Sequence, residues 1–384
     1  MNFELTEDQK MLQQMAKEFA ERELIPIAKE YDQPGKYPFE LYKKMAPLGL
    51  LGVLIPQKYG GLELGVLTWV VMLEQLAWGS LSLSGITQNA MLPGSVLADT
   101  ASEEQRQKYL PPMCRGEKIY AVAVAEPDAG SDGGNIQTKA VLQGDSWVLN
   151  GNKVFVTNGG VADMMVVLAQ TDKNKGYKGL ALIAVEKSSP GISTAQIEGL
   201  NGMPCDDIAQ VRLSDCIVPK ANLVNEVGKG LKMALGAITN MRISIAAHCV
   251  GGSQRAIDIS IKYAQDRRQF NKPIGSFQLI QALIAEMALE TEAARLLTRS
   301  AAFKKENRLP HIKEVSMAKW FASEMAGRTT LKAMRIHGGY GGFEGYIVER
   351  LHREVINLLA PGGTLEMHKL TIGRQILELD AMSR

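Results

Sequence analysis

Met11, Leu12, Met15, Phe19 and Leu24 recur at helical spacing with charged residues between them, and Thr6 with Gln9 makes a capping box ahead of them. Pro26 and Pro34 interrupt the next stretch of chain. Residues 41–51 read as a short amphipathic helix ended by Gly-rich turns, and residues 59–65 as a loop. Residues 66–78 are apolar nearly all round, which predicts a buried helix. Residues 84–98 are another apolar segment, interrupted by Thr87, Gln88 and Asn89. Residues 102–110 predict a surface helix that Pro111 and Pro112 close.

The pattern changes at Lys118. Residues 138–142, 147–149, 154–156, 164–169, 180–185, 192–196 and 209–213 are short apolar or alternating runs separated by Gly, Asn, Asp and Ser. Short strands at this spacing predict a sandwich or barrel rather than βαβ units. No G-x-G-x-x-G comes after any of them, so a Rossmann nucleotide site is not supported. Helical periodicity returns at Gly228. Residues 231–264 form one long segment, and Ser276 is expected to cap a second that carries Leu279, Leu283, Met287, Leu296 and Leu297. Residues 315–336 and 373–382 complete the set. Helices this long usually pack on each other as a bundle. The expected fold is therefore α+β: an N-terminal all-α domain (1–117), a central β-sandwich or barrel domain (118–227) and a C-terminal four-helix bundle (228–384).

Composition narrows the function. A chain of 384 residues can bury two or three cores, and a net charge of +2 with interleaved signs gives no reason to expect a nucleic-acid or membrane partner. Cys114, Cys205, Cys216 and Cys249 are scattered without a C-x-x-C, as in reduced cytoplasmic proteins. Residues 1–9 are polar and lack a basic-then-apolar pattern, so no export signal is expected, and no apolar run approaches the length of a membrane span. The five histidines form no H-E-x-x-H pair, which argues against zinc. A cytoplasmic location is expected.

Candidate chemistry concentrates in residues 122–160. V-A-V-A-E-P-D-A-G-S-D-G-G begins at Val122, and L-N-G-N-K-V-F-V-T-N-G-G begins at Leu149. Each joins an alternating apolar run to a polar, Gly-rich turn. Turns of this composition let main-chain N–H groups approach a phosphate or a polar ring edge.

Four motifs in order resemble those of the acyl-CoA dehydrogenase family. A-E-P-D-A-G-S-D is similar to its T-E-P-x-A-G-S-D, and D-R-R-Q-F-N-K-P-I-G-S-F-Q to its R-x-Q-F-G-x-P-I-x-x-F-Q. I-H-G-G-Y-G resembles I-x-G-G-x-G, and G-G-T-L-E-M-H-K-L-T-I-G-R resembles the end of the catalytic segment. The likeness runs from Leu5 to Arg374. It implies FAD as cofactor, an acyl-CoA substrate, electron-transfer flavoprotein or a similar carrier as electron partner, and a homotetramer.

The same resemblance assigns roles. Val122, Val124, Ala125, Gly130 and Ser131 would line the flavin and its pyrophosphate. Phe155 would cover one ring face, and Thr157 would bond near N5. Arg267, Gln269 and Phe270 would reach a neighbouring subunit's FAD. Arg335, Gly338, Gly339, Thr364 and Glu366 would take its ADP end. Ser131 and Arg242 would hold the CoA arm, with Gln88, Asn89, Met241 and Gly362 around the acyl group. Ala125, Asn271 and Arg335 depart from the family's usual Thr, Gly and Gln.

The largest departure concerns the base. Family members remove a C2 proton with a Glu in Y-E-G-T, or with a Glu just before an Arg in the long helix. Here the first reads P-G-G-T and the second Met241-Arg242, so Gly362 and Met241 stand at the two positions and neither is a carboxylate. The proton-transferring residue is thus unknown from sequence. The expected reaction is oxidation of an unusual acyl group, alicyclic or already unsaturated. The alternatives are an enoyl- or dienoyl-CoA reductase, a non-redox lyase of desulfinase type, and flavin binding without turnover.

Overall fold

The fold was obtained as a computed structural model and is described for residues 4–379. Five helices come first: α1 (Glu7–Phe19), α2 (Phe39–Met45), α3 (Val66–Gly79), α4 (Leu81–Thr100) and α5 (Glu103–Cys114). The Thr6–Gln9 capping box closes in both directions, at 3.1 and 3.2 Å. α3 is apolar all round because it is buried, and its carboxylate, Glu74, accepts from Arg295 Nε at 2.8 Å. That pairing offsets the cost of a buried charge. α5 does not stop at Pro111 as expected. The two prolines forgo ladder bonds, yet the Arg115 N–H still reaches Pro111 O at 3.1 Å and the helix runs to Cys114.

The next eight elements are strands: β1 (Tyr120–Ala123), β2 (Lys139–Gln143), β3 (Ser146–Thr157), β4 (Met164–Gln170), β5 (Leu180–Glu186), β6 (Ile192–Gln196), β7 (Ile208–Pro219) and β8 (Leu223–Val224). Their order is β6-β7-β3-β2-β4-β5-β8, with β1 parallel to β4. The sheet curls on itself, so that Ala123, Leu149, Met165, Ile183 and Val211 meet in one buried cluster. The other face of β4 and β5, through Val166, Leu168, Leu182 and Ala184, joins the helical core. All seven β4 residues are buried, which is why the strand reads as one apolar run. The runs 147–149 and 154–156, expected as two strands, are one strand, β3. Irregular pairing between Leu149 and Gly151, and between Lys153 and Val156, breaks its pattern.

The remaining elements are α6 (Gly230–Asp266), the hairpin β9 (Arg268–Gln269) and β10 (Lys272–Pro273), α7 (Gln278–Glu306), α8 (Ile312–His337), α9 (Ile347–Asn357) and α10 (Leu365–Leu377). Ser276 is not the cap of α7: its hydroxyl donates to Pro273 O at 2.7 Å, and Phe277 occupies the cap position. The sequence reading contained neither α9 nor the first half of α10, and residues 380–382 of the expected last helix lie outside the described residues. α6 is, by length and composition, apolar enough to cross a bilayer, contrary to the sequence reading, but 72% of its most apolar window is buried inside the molecule. It is the spine of the core. A Cβ on its Gly251 would stand 2.2 Å from Glu74 O, so α3 and α6 approach each other through glycine.

Candidate active site

The two polar turns are braced from beneath by buried carboxylates. Glu126 accepts from the Gln137 and Thr138 N–H groups at 2.6 and 2.9 Å, which pins the base of the 127–137 loop. Lys153 on β3 reaches the same carboxylate at 2.8 Å and Val124 O at 3.0 Å. Burial pushes the Lys153 ammonium down to about 8, and Glu126 opposes that fall. The second turn is held by Asp207, whose Oδ2 accepts from Gly160 and Val161 N–H at 2.5 and 3.0 Å. Asn158, at φ 63°, is buried and accepts from the Tyr37 hydroxyl at 2.9 Å.

Between these turns stands Phe155. It sits in the β3 irregularity at φ 54° and is 71% exposed. A bulge re-aims a side chain, and this one turns an aromatic outward from a buried strand. Val122, Val124, Ala125 and Thr157 are half-buried, and Gly130 and Ser131 exposed, and the Val154 N–H donates to Ala125 O at 3.0 Å, which ties the first turn to the residue before Phe155.

A seam that carries polar groups lies between α4 and α6. Gly85, Gln88, Asn89 and Leu92 form a half-buried strip on a helix otherwise mostly buried. Ser244 Oγ donates to Gln88 Oε1 at 2.8 Å across it. Met241 and Arg242 are half-buried on the α6 side. Arg242 Nε donates to Gly362 O at 2.6 Å, while Lys319 Nζ donates to Leu359 O at 2.5 Å and Gly363 O at 3.2 Å. Two cations therefore hold the 359–363 loop by its carbonyls. Burial lowers Lys319 to about 8, and burial with Arg242 and Lys319 lowers His368 to about 3, which leaves the imidazole neutral. Neither Met241 nor Gly362 supplies a carboxylate here.

Arg267, Gln269, Gly338 and Gly339 line one cavity of about 450 Å³ at the far end of α6 and α8, where Tyr263 stacks on His337 at 4.2 Å. Gly338 is at φ 60°, and a Cβ on either glycine would meet nothing within 4 Å, so the main chain lies open. Phe270 and Asn271, at φ 50° and 61°, make the tight turn of the β9–β10 hairpin and hold Phe270 88% exposed. Arg335 is exposed and outside the cavity lining; Glu366 is exposed at the start of α10, which Thr364 caps. The sequence-assigned residues thus fall into three groups. The first lies along the strands and turns near Phe155, the second along the α4–α6 seam, and the third at the cavity, while Arg335, Thr364 and Glu366 join none of them.

Sequence reasoning missed Glu126, Lys153, Asp207 and Lys319. A lysine inside the apolar run of β3 was the available signal for the first pair. For Asp207 and Lys319 no local pattern marks the role.

An open aromatic face between two braced turns suits a planar ring. Three family models match the chain in order: "Acyl-CoA dehydrogenase, N-terminal domain" over residues 6–117, the "middle domain" over 121–216 and the "C-terminal domain" over 228–377. The chain is 40% identical over 380 residues to "Acryloyl-CoA reductase (NADH)" of Anaerotignum propionicum, covering 98% of this chain and 96% of that one. It is 38% identical over 379 residues to "Caffeyl-CoA reductase-Etf complex subunit CarC" of Acetobacterium woodii, covering 97% and 99%. Among solved structures, butyryl-CoA dehydrogenase from Megasphaera elsdenii superposes with a TM-score of 0.94 at 34% identity, covering 98% and 100%. The chain belongs to the acyl-CoA dehydrogenase family. It is an FAD-dependent acyl-CoA oxidoreductase of that type.

Proposed function

We propose that this enzyme acts on the CoA thioester of an unusual acyl group, alicyclic or already unsaturated, and that it is a poor catalyst of ordinary C2–C3 oxidation. One observation carries this reading: neither Gly362 nor Met241, the two positions at which the family places its base, is a carboxylate, and Arg242 is bonded to Gly362 O instead. The residues present fit FAD, which supplies hydride transfer when bound. Phe155 would stack on the ring, and the turns at 122–131 and 155–160 would bond its edge and pyrophosphate. Arg267 and the open Gly338–Gly339 main chain would hold the ADP end of a neighbouring subunit's cofactor. Arg suits that role because its fork can pair with phosphate oxygens. We further propose a cytoplasmic homotetramer that exchanges electrons with an electron-transfer flavoprotein.

A second reading is reduction of an enoyl thioester. The names of two relatives, an acryloyl-CoA and a caffeyl-CoA reductase, favour it. One experiment separates direction and substrate. Oxidised holoenzyme is mixed with saturated thioesters, and dithionite-reduced holoenzyme with crotonyl-CoA and cyclohex-1-ene-1-carboxyl-CoA, while flavin absorbance is monitored. Bleaching by butyryl-CoA at rates usual for a dehydrogenase would sink the first reading.

A further inference from the structure

Where the last turns of α4 meet the first turns of α6, a second cavity of about 290 Å³ opens. It shares no lining residue with the cavity at Arg267 and Gly338. Gly236 keeps it open. This residue lies inside α6, where glycine is the least favourable choice after proline. A Cβ on Gly236 would meet nothing within 4 Å, so no close helix crossing demands the glycine. Gly251 on the same helix is the opposite case, pressed against Glu74 O.

The cavity is polar at both ends and apolar between them. Val96 of α4 and Met233 and Ala237 of α6 supply the apolar walls. At the inner end Ser95 is buried, and its Oγ accepts from Asn240 Nδ2 at 3.2 Å. Asn240 stands one helical turn beyond Gly236 on the same face and is 7% exposed. Its Oδ1 has no partner, and among the described residues no acceptor takes the Ser95 proton. A buried amide end left alone is costly. A hydroxyl satisfies both groups, accepting from Ser95 and donating to Asn240, and does so whichever way the carboxamide is turned. At the outer end stand Lys229, Lys232, Asp99 and Thr100. Lys229 pairs with Glu226, and Asp99 is under the pull of Lys305 and Arg106. Among the described residues no hydrogen bond or ion pair engages Lys232, which leaves a free cation at the mouth.

We propose that this cavity is a ligand site separate from the flavin and acyl site, and that it takes a short carboxylate with a hydroxyl at its far end. The hydroxyl bonds Ser95 and Asn240, the methylenes lie between Val96, Met233 and Ala237, and the carboxylate meets Lys232. Between Lys232 and Ala237 the helix rises about 7–8 Å, which suits a chain of about four or five carbons. A water molecule would serve the inner end but would leave the apolar walls and Lys232 without a partner. The site does not depend on which thioester the enzyme turns over.

The test titrates FAD-loaded enzyme with sodium 4-hydroxybutyrate by calorimetry. Butyrate and 1,4-butanediol, which each lack one polar end, serve as controls. The parent should bind 4-hydroxybutyrate with a Kd of the order of 1 mM or tighter, as expected for so small a ligand. Each control should bind about tenfold more weakly or worse. Lys232→Ala should weaken 4-hydroxybutyrate by a similar factor, and Lys232→Arg should restore most of the affinity. Gly236→Leu fills the cavity with a better helix former, and should abolish binding while the flavin is retained. Three results would each overturn the site: no saturable binding in the parent, equal binding of either control, or parent-like affinity in Lys232→Ala and Gly236→Leu. The first would leave ordered water as the only occupant, and the last would put the ligand elsewhere in the protein. If Gly236→Leu loses its fold or its flavin, the comparison of Lys232→Ala with Lys232→Arg decides.

Discussion

Lys153 Nζ and Glu126 Oε1 stand 2.8 Å apart, with side chains 0% and 4% exposed. The pair joins the strand that carries Phe155 to the turn that carries Gly130 and Ser131. Glu126 also takes two main-chain N–H groups, so the loop, the strand and the carboxylate form one unit.

Removing one partner should therefore be costly. Lys153→Met leaves Glu126 buried without a counter-charge and should destabilise the protein by about 3–5 kcal/mol. Adding Glu126→Gln should recover part of that loss, since a neutral amide oxygen can still accept a main-chain N–H. Denaturant midpoints of the single and double variants check this. A single variant within about 1 kcal/mol of the parent would mean that the pair is incidental.

Phe155 is stabilised by little that the protein itself provides. Phe155→Ala should leave the apoprotein's stability within about 0.5 kcal/mol, as for other exposed positions. It should weaken FAD by roughly 0.5–1.5 kcal/mol, the range of aromatic stacking beyond area burial. Flavin titration against thermal unfolding of the apoprotein separates the two effects. A large stability loss with unchanged flavin affinity would return Phe155 to a packing role.

Assembly and cofactor should be coupled through Arg267. It lines the cavity with Gly338 and Gly339, while Phe270 projects at the hairpin tip. Arg267→Ala is expected to lose FAD and loosen the oligomer together, read by size exclusion at flavin wavelengths. A monomeric variant with full flavin content would contradict this.

The helices and strands were mostly legible because their patterns are local. β4 and β5 are continuous apolar runs, and the long period of α6 runs almost to its true ends. α9 was passed over although Val348, Leu351 and Val355 recur at helical spacing with charged residues between them. The candidate site was legible where backbone conformation writes itself into composition, as at the Gly- and Asn-rich turns. Glu126, Lys153 and Asp207 were not, because a carboxylate beside a turn reads as solvated until a distant segment buries it.

Two carboxyls give the protein an acid-side stability. Burial, with its acidic neighbours, raises Asp206 to about 7; burial raises Glu354 to about 7 against the pull of Arg350 and Ser82. Both folded values exceed the unfolded ones, so the folded state binds more protons. Their contribution is fully present below about pH 4 and is lost as pH rises through about 7. From these groups, the unfolding free energy should fall as pH rises from 5 to 8. Glu354→Gln, which can still accept from Ser82, should flatten that slope and stabilise the protein at pH 8. An unchanged slope would show that Glu354 does not titrate in this window.

The empty base position can be probed directly at Gly362. Glycine offers space, which suggests that a carboxylate placed there would restore ordinary dehydrogenation. The backbone argues otherwise: Gly362 is at φ 75°, where an L side chain is strained by about 1–2 kcal/mol. A Cβ would also stand 3.2 Å from Arg242 Cγ and 3.4 Å from Ile245 Cδ1. Gly362→Glu should therefore destabilise the 359–363 loop and disturb the Arg242–Gly362 bond rather than create an efficient base. General-base catalysis contributes about 10²–10⁴-fold, so the parent should show correspondingly slow C2 exchange with butyryl-CoA in D₂O. Gly362→Glu should gain little C2 exchange while losing stability. Rapid C2 exchange in the parent would place an unrecognised base at C2 and end the case for an unusual acyl group.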